Sequence, residues 1–196
     1  MTRTVAMLLA LTVAACGSAS QAGPKTSNPP PKKAPPAAKA EPSDDLVVQE
    51  GMTLKFPKLA FKMTMTKAPW KGNVSQDKDG SIQIAFERED LSSVLLLMPI
   101  AAPGVNAQAI ADNQHQLAGK DASLTSSAVV AESGGRYAFT IDRTVDGVPH
   151  RTYLAVLPHP SVPDAYLVAV GEGLTSTSDA FLKDVRAVLD TVAPLE

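Results

Sequence analysis

The chain has 196 residues, a net charge of −2, a pI near 5.9 and one cysteine. That length suits one domain with appendages, and the charge gives no global reason to expect a nucleic-acid partner. A single cysteine excludes an intramolecular disulfide and a cysteine-rich metal cage.

The N-terminus carries the clearest signal. Arg3 supplies a positive start, Val5–Val13 is an apolar stretch, and Ala14-Ala15 are the small residues that precede a cleavage point. The stretch is too short for a spanning helix, which takes about 20 residues. Val13-Ala14-Ala15-Cys16 resembles the bacterial lipobox. The resemblance implies a signal peptide over 1–15, a diacylglycerol thioether on Cys16 and a new amino group open to a further acyl chain such as palmitate. Two or three acyl chains anchor firmly where one holds marginally. The alternative is an ordinary secretory signal with Cys16 as a passenger. The anchor reading is preferred because the sole cysteine stands where the motif requires it. Gly17 and Ser18 follow, without the Asp that resembles an inner-membrane retention signal, which favours the outer membrane.

Residues 16–45 then change character. Seven prolines (Pro24, Pro29, Pro30, Pro31, Pro35, Pro36, Pro42) lie among Ala, Ser and Lys. Such a segment buries too little apolar surface to offset its ordering entropy, and is expected to be a disordered linker with polyproline-II character. Extended at ~3.1 Å per residue, it reaches ~90 Å. Its four lysines suit anionic headgroups or wall polymers; a solvated spacer is the plainer reading.

All nine aromatic residues fall between Phe56 and Phe181, which sets the globular domain at 46–196. Phe61, Met63 and Met65 alternate with polar residues, as do Ile82, Ile84 and Phe86 after the turn pair Asp79-Gly80, so both predict half-buried strands. Val94–Met98, Tyr153–Leu157 and Ala165–Val170 are apolar on both faces and predict central strands. Asp146-Gly147 between 136–145 and 148–157 predicts a hairpin. A helix is expected over Ala107–Ala118, with Asn106 as N-cap, a Val105/Ile110 staple and Gly119 past its end. A second follows from the spacing of Phe181, Leu182, Val185, Val188, Leu189 and Val192, with Ser176-x-x-Asp179 at its start and Pro194 at its end. Strands apolar on both sides need cover on both sides. The expected class is α+β, a mainly antiparallel central sheet with helices on both faces.

This order, with Gly51–Pro57, Ile110–Leu117, Tyr137–Ile141, Tyr153–Val156, Tyr166–Gly171 and the helix from Phe181, resembles the PsbP-like sandwich fold. The resemblance implies a binding or assembly role, no enzyme activity and no cofactor. It carries over no functional residue.

The chemistry-bearing residues weigh the same way. Ser75-x-Asp77-x-Asp79-Gly80 resembles the front of an EF-hand, but Phe86 stands at the closing position, so a polar hairpin turn is the better reading. Met63-x-Met65 could take Cu(I), yet it lies in register with Phe61 as core filler does. His115, His150 and His159 share no metal spacing, and His115 is expected on a polar helix side. Gly171-Glu172-Gly173 lacks the third glycine of a dinucleotide fingerprint, and no nucleophile elbow, zincin helix or P-loop occurs. No metal site is expected. Lys55, Lys58, Lys62, Lys67 and Lys71 run without an intervening acid, in a domain of 13 Lys/Arg against 17 Asp/Glu, net −4. These lysines, with Trp70 as a possible exposed anchor, are the candidate binding surface for an anionic partner; edge-strand protection and a buried core Trp are the structural alternatives. The favoured function is a non-catalytic envelope lipoprotein that binds another envelope component. Small-molecule or lipid binding, and a hydrolase using His150 or His159, are the alternatives.

Overall fold

The computed structural model describes residues 46–66, 70–76 and 81–196. Cys16, the signal and linker segments, Lys67 and the Asp79-Gly80 turn lie outside the described residues.

The main sheet takes its strands from β1 (Leu46–Val48), β4 (Trp70–Gln76), β5 (Ile82–Arg88), β6 (Ser93–Ala101), β7 (Thr125–Ser126), β8 (Val130–Ala131), β9 (Tyr137–Val145), β10 (Val148–Pro158) and β11 (Ala165–Leu174). Their order is β1-β4-β5-β6-β11-β10-β9-β7, with β8 also on β9, and each pairing among the described residues is antiparallel. The three segments that are apolar on both faces become β6, β11 and β10, side by side in the middle. Their uninterrupted apolar runs suit the positions farthest from solvent.

A second, three-stranded sheet has the order β12-β3-β2, from β2 (Thr53–Phe56), β3 (Phe61–Thr64) and β12 (Ala193–Pro194). The Phe61/Met63 alternation therefore belongs to a separate sheet. Met65 lies just beyond β3 and is as buried as Met63.

The Asp146-Gly147 hairpin forms as expected. Val145 pairs with Val148, and the two turn residues sit at φ 50° and 79°, the left-handed pair that a two-residue turn requires. β4 and β5 also form an antiparallel pair, with Ser75 opposite Gln83 and Gln76 opposite Ile82; Asp77 and Asp79-Gly80 lie outside the described residues.

Helix α1 spans Ala107–Ala118, and the Asn106 side chain accepts from the Ala109 N–H at 2.8 Å. Gly119 closes it at φ −66°, so the expected left-handed glycine cap is not used; Lys120 and Asp121 carry the chain on through tight turns to Leu117 and Ala118 carbonyls. Helix α2 spans Ser178–Leu189. Ser176 does not cap it, because a 3₁₀ turn over Thr175–Thr177 leads straight into the first helical turn.

Two clusters of buried side chains divide the strands residue by residue. Tyr153, Ala155 and Leu157 of β10 and Leu167 and Ala169 of β11 join the cluster that contains α2, Phe61, Met63 and Trp70. Leu154, Val156, Val168 and Val170 join the one that contains Ala107 and Ala111 of α1. This is the period-two consequence of the pleat.

Candidate functional site

The candidate lysines separate into two places. On the small sheet, Leu54 and Met63 are paired and buried, so their neighbours Lys55 and Lys62, also directly paired, point outward. Lys58 stands exposed in the 3₁₀ turn Pro57–Leu59 that joins the two strands. Lys62 Nζ lies 3.3 Å from Glu196 Oε2. Lys55 and Lys58 have no carboxylate partner among the described residues. Lys71 is elsewhere, on β4 of the main sheet, and meets Glu89 Oε1 at 2.5 Å.

Trp70 is a correction. It is fully buried, edge-on to Phe86 at 6.3 Å and 6.3 Å from Phe181, with the Arg88 guanidinium 5.3 Å from its ring centroid. Along β4 it faces inward where Lys71 faces out, so it is core and no part of an exposed binding surface.

The arginines behave differently from the lysines. Arg88 binds Asp90 through two nitrogens (2.8 and 2.7 Å) and Asp184 through a third at 3.0 Å. Arg151 grips Asp142 with the same fork (2.6 and 2.9 Å). Glu132 accepts from Arg136, Arg186 and the Tyr153 hydroxyl at 2.8, 3.0 and 2.7 Å. Arg136 donates also to Asp190 at 3.2 Å, and Arg143 donates to the buried Glu172 at 2.5 Å. Hydrogen bonds from Arg88 and Arg151 hold the Asp90 and Asp142 carboxyls below the usual range. Burial pushes Glu132 up, but its three donors outweigh that and leave it lowered; burial and Glu132 together push the Tyr153 phenol far up. These residues tie the Glu132–Arg136 segment, β10 and α2 together. The sequence reading missed them, since the pairs that join separate elements, Arg88–Asp184, Arg136–Asp190 and Arg186–Glu132, lie more than fifty residues apart. The visible signal was a polar side chain, such as Glu172, continuing a strand otherwise apolar on both faces.

A cleft of about 390 Å³ opens beside this network, with Leu157, Leu189 and Val192 as apolar walls and Ser133, Arg136, His159 and Asp190 as polar ones. It brings a histidine, a serine and an aspartate together, and burial lowers the His159 pKa. Their bonds, however, run the wrong way for a triad. The Ser133 hydroxyl donates to Asp190 at 2.7 Å, not to the imidazole. His159 Nδ1 accepts from the Ser161 and Val162 N–H groups at 3.2 and 3.1 Å, and the ring also bonds the Leu59 backbone. Nδ1 is thus held by loop backbone, and no hydrogen bond joins the imidazole to Ser133 or Asp190 among the described residues, so the three side chains form no relay.

His115 is half-buried rather than on a polar side. Its Nε2 lies 3.1 Å from Ser126 Oγ and its ring stands edge-on to Phe139 at 5.2 Å. No carboxylate bonds its other nitrogen among the described residues. His150 Nδ1 lies 3.6 Å from Glu172 Oε1. Met63 and Met65 pack in the first cluster, and among the described residues no three His, Cys, Asp or Glu side chains gather as metal ligands. No described helix is long and apolar enough to cross a membrane.

No family model and no curated protein matches the chain. Among solved structures, it is similar to cyanobacterial PsbP (CyanoP) from Synechocystis sp. PCC 6803, with a TM-score of 0.49 and 10% identity over 74% of this chain and 92% of that one. It is also similar to LpqN, involved in cell envelope biogenesis of Mycobacterium tuberculosis, with a TM-score of 0.35 and 10% identity over 78% of this chain and 91% of that one. The strand order given above describes an α+β domain with an antiparallel main sheet and two helices, in its own right.

Proposed function

We propose that this chain is a bacterial envelope lipoprotein, acylated at Cys16, whose 46–196 domain binds or assembles with another envelope component and performs no catalysis. In this reading the domain is a PsbP-like sandwich with helices over both sheet faces. The proline-rich 16–45 segment is its tether, and the outer membrane its favoured location. The observation that carries the non-catalytic part is the state of the polar groups. Each arginine in 46–196 is bound to a carboxylate, and Nδ1 of His159, the histidine of the cleft, accepts from two loop N–H groups. These groups are spent on holding the fold. The anchor rests on the lipobox and on the distance rule for spanning helices.

Metabolic labelling with a fatty-acid analogue tests the anchor directly. The wild-type chain is expected to be labelled and to fractionate with membranes, and Cys16→Ala to lose both. Labelling that persists in Cys16→Ala sinks the proposal. Crosslinking in intact cells tests the partner; recovery of the monomer alone counts against it.

A second reading is favoured by one feature, the cleft at His159. Its apolar walls and few convergent polar groups are what a small amphiphilic ligand uses. Leu157→Trp, which fills that space, would then abolish ligand-induced shifts of cleft resonances.

A further inference from the structure

The domain spends its two cations differently. All five arginines of residues 46–196 are bound to carboxylates inside the fold. Arginine offers a rigid planar fork, which suits one carboxylate in one geometry. Lysine offers a compact, mobile point charge. On the small sheet lysines are gathered where nothing in the core requires them. The inward positions Leu54, Phe61 and Met63 are buried, and the outward positions between them are free to be any polar residue.

Two lysines are nonetheless placed directly opposite each other across β2 and β3, Lys55 against Lys62, with Lys58 in the turn between. Like charges in that relation destabilise a strand pair. Protection of a sheet edge accounts for one of the three. β2 is an edge strand, but β3 is the middle of the small sheet, and Lys58 is in no strand at all. Glu196, itself 90% exposed at the side chain, is the one carboxylate bound to this group among the described residues.

We infer that the outward face of the β12-β3-β2 sheet docks on an anionic phospholipid surface through Lys55, Lys58 and Lys62. Three features favour lipid over an acidic protein. Point charges without forked geometry fit a laterally mobile layer of phosphates better than fixed carboxylates. Lys55 and Lys62 take outward positions on one face of a short sheet, with Lys58 exposed in the turn that joins its two strands, an arrangement that suits a planar target. And β2 begins at Thr53, five residues after the end of β1, the first described strand on the tether side. The inference rests on the anchored reading above for how the face meets the bilayer.

The test uses the mature lipoprotein purified from membranes and reconstituted in nanodiscs of phosphatidylcholine alone, or of phosphatidylcholine mixed with phosphatidylglycerol. Lysine acylation by a soluble reagent is followed by peptide mass spectrometry, with Lys120 and Lys183 as internal references. Each lysine near an anionic surface is worth about fivefold in binding, and three together about 100-fold. Lys55, Lys58 and Lys62 are therefore expected to react at least fivefold more slowly in anionic discs than in neutral ones, while the references do not change. High salt should restore their rates. Lys58→Gln, in an exposed turn, should weaken protection of the other two. Equal rates in both discs, or protection that salt leaves intact, would overturn the inference. So would protection by added polyglutamate without any by the anionic disc, which would point to an acidic protein. A protein that enters neither disc fails the anchored reading instead, and the same footprint with free anionic vesicles then decides the lysine face by itself.

Discussion

His159 shows how a titratable residue can be structural in a place that invites a catalytic reading. Its ring is buried beside Phe61, centroids 5.8 Å apart, and its Nδ1 must stay unprotonated to accept the Ser161 and Val162 N–H groups. Burial lowers its pKa below the ordinary 6.5, with the Leu59 backbone bond as a smaller opposing effect. The unfolded chain therefore binds a proton that the folded one refuses. Stability from this group is complete above about pH 6.5 and is lost as pH falls toward the folded value. Glu132, Asp90 and Asp142, whose folded values are also depressed, lie lower on the scale. Their contribution is complete above the unfolded carboxyl range, near 4, and is lost as pH falls through the folded values. Urea midpoints measured from pH 8 to 3 are expected to fall in two steps. His159→Asn, whose carbonyl can accept the same loop N–H groups, should remove the upper step and keep the lower. An unchanged slope between pH 7 and 5 in that variant would show that His159 is not its source.

At the scale of elements, the close fit is between α2 and β11. Gly171 and Gly173 lie on the β11 face under Phe181. A Cβ added at Gly171 would sit 3.2 Å from the Phe181 ring and 3.5 Å from Val185, and one at Gly173 would sit 2.2 Å from Ser93 Oγ. This gives Gly171-Glu172-Gly173 a packing role in place of the nucleotide role its spelling suggests. The glycines let the helix approach the sheet. Gly171→Ala is expected to cost about 1–3 kcal/mol by overpacking, read as a lower urea midpoint with unchanged slope. Adding Phe181→Leu should cost less in that background than in wild type, because the two changes share one contact. Additive losses would place the strain elsewhere. Helix α1, by contrast, follows local rules. Asn106 caps it, its apolar residues repeat at helical spacing, and both ends were legible in the sequence. The glycine cap was misread, since the next residues continue in tight turns and never call on a positive φ, and so was the side on which His115 stands. β4 was not legible, because Trp-Lys-Gly-Asn-Val-Ser-Gln has no clean alternation and is strand by virtue of its neighbours β1 and β5.

Across the whole domain, one cluster of buried side chains joins the small sheet, α2 and most strands of the main sheet. Neither sheet keeps its apolar face without the other, so the domain should unfold as one unit. Trp70, the single tryptophan, lies inside that cluster between Phe86 and Phe181 and reports on it. Its fluorescence and the far-UV circular dichroism are expected to change at the same urea concentration. Separated midpoints would mean that the small sheet melts independently.

The sequence by itself determined what short-range physics controls: the alternation in β3 and β5, the Asp146-Gly147 turn, the limits of α1, and the central place of the three segments apolar on both faces. It also showed a run of lysines without acids between them. Only the tertiary structure decided that Phe61 and Met63 build a second sheet, that Trp70 is core while Lys71 is not, and that Lys55 stands opposite Lys62. The same holds for the arginine–carboxylate pairs, whose members lie up to 96 residues apart. Periodicity states which side of an element is apolar, but the partner that covers it, or neutralises its charges, is chosen by contacts that form only when distant segments pack.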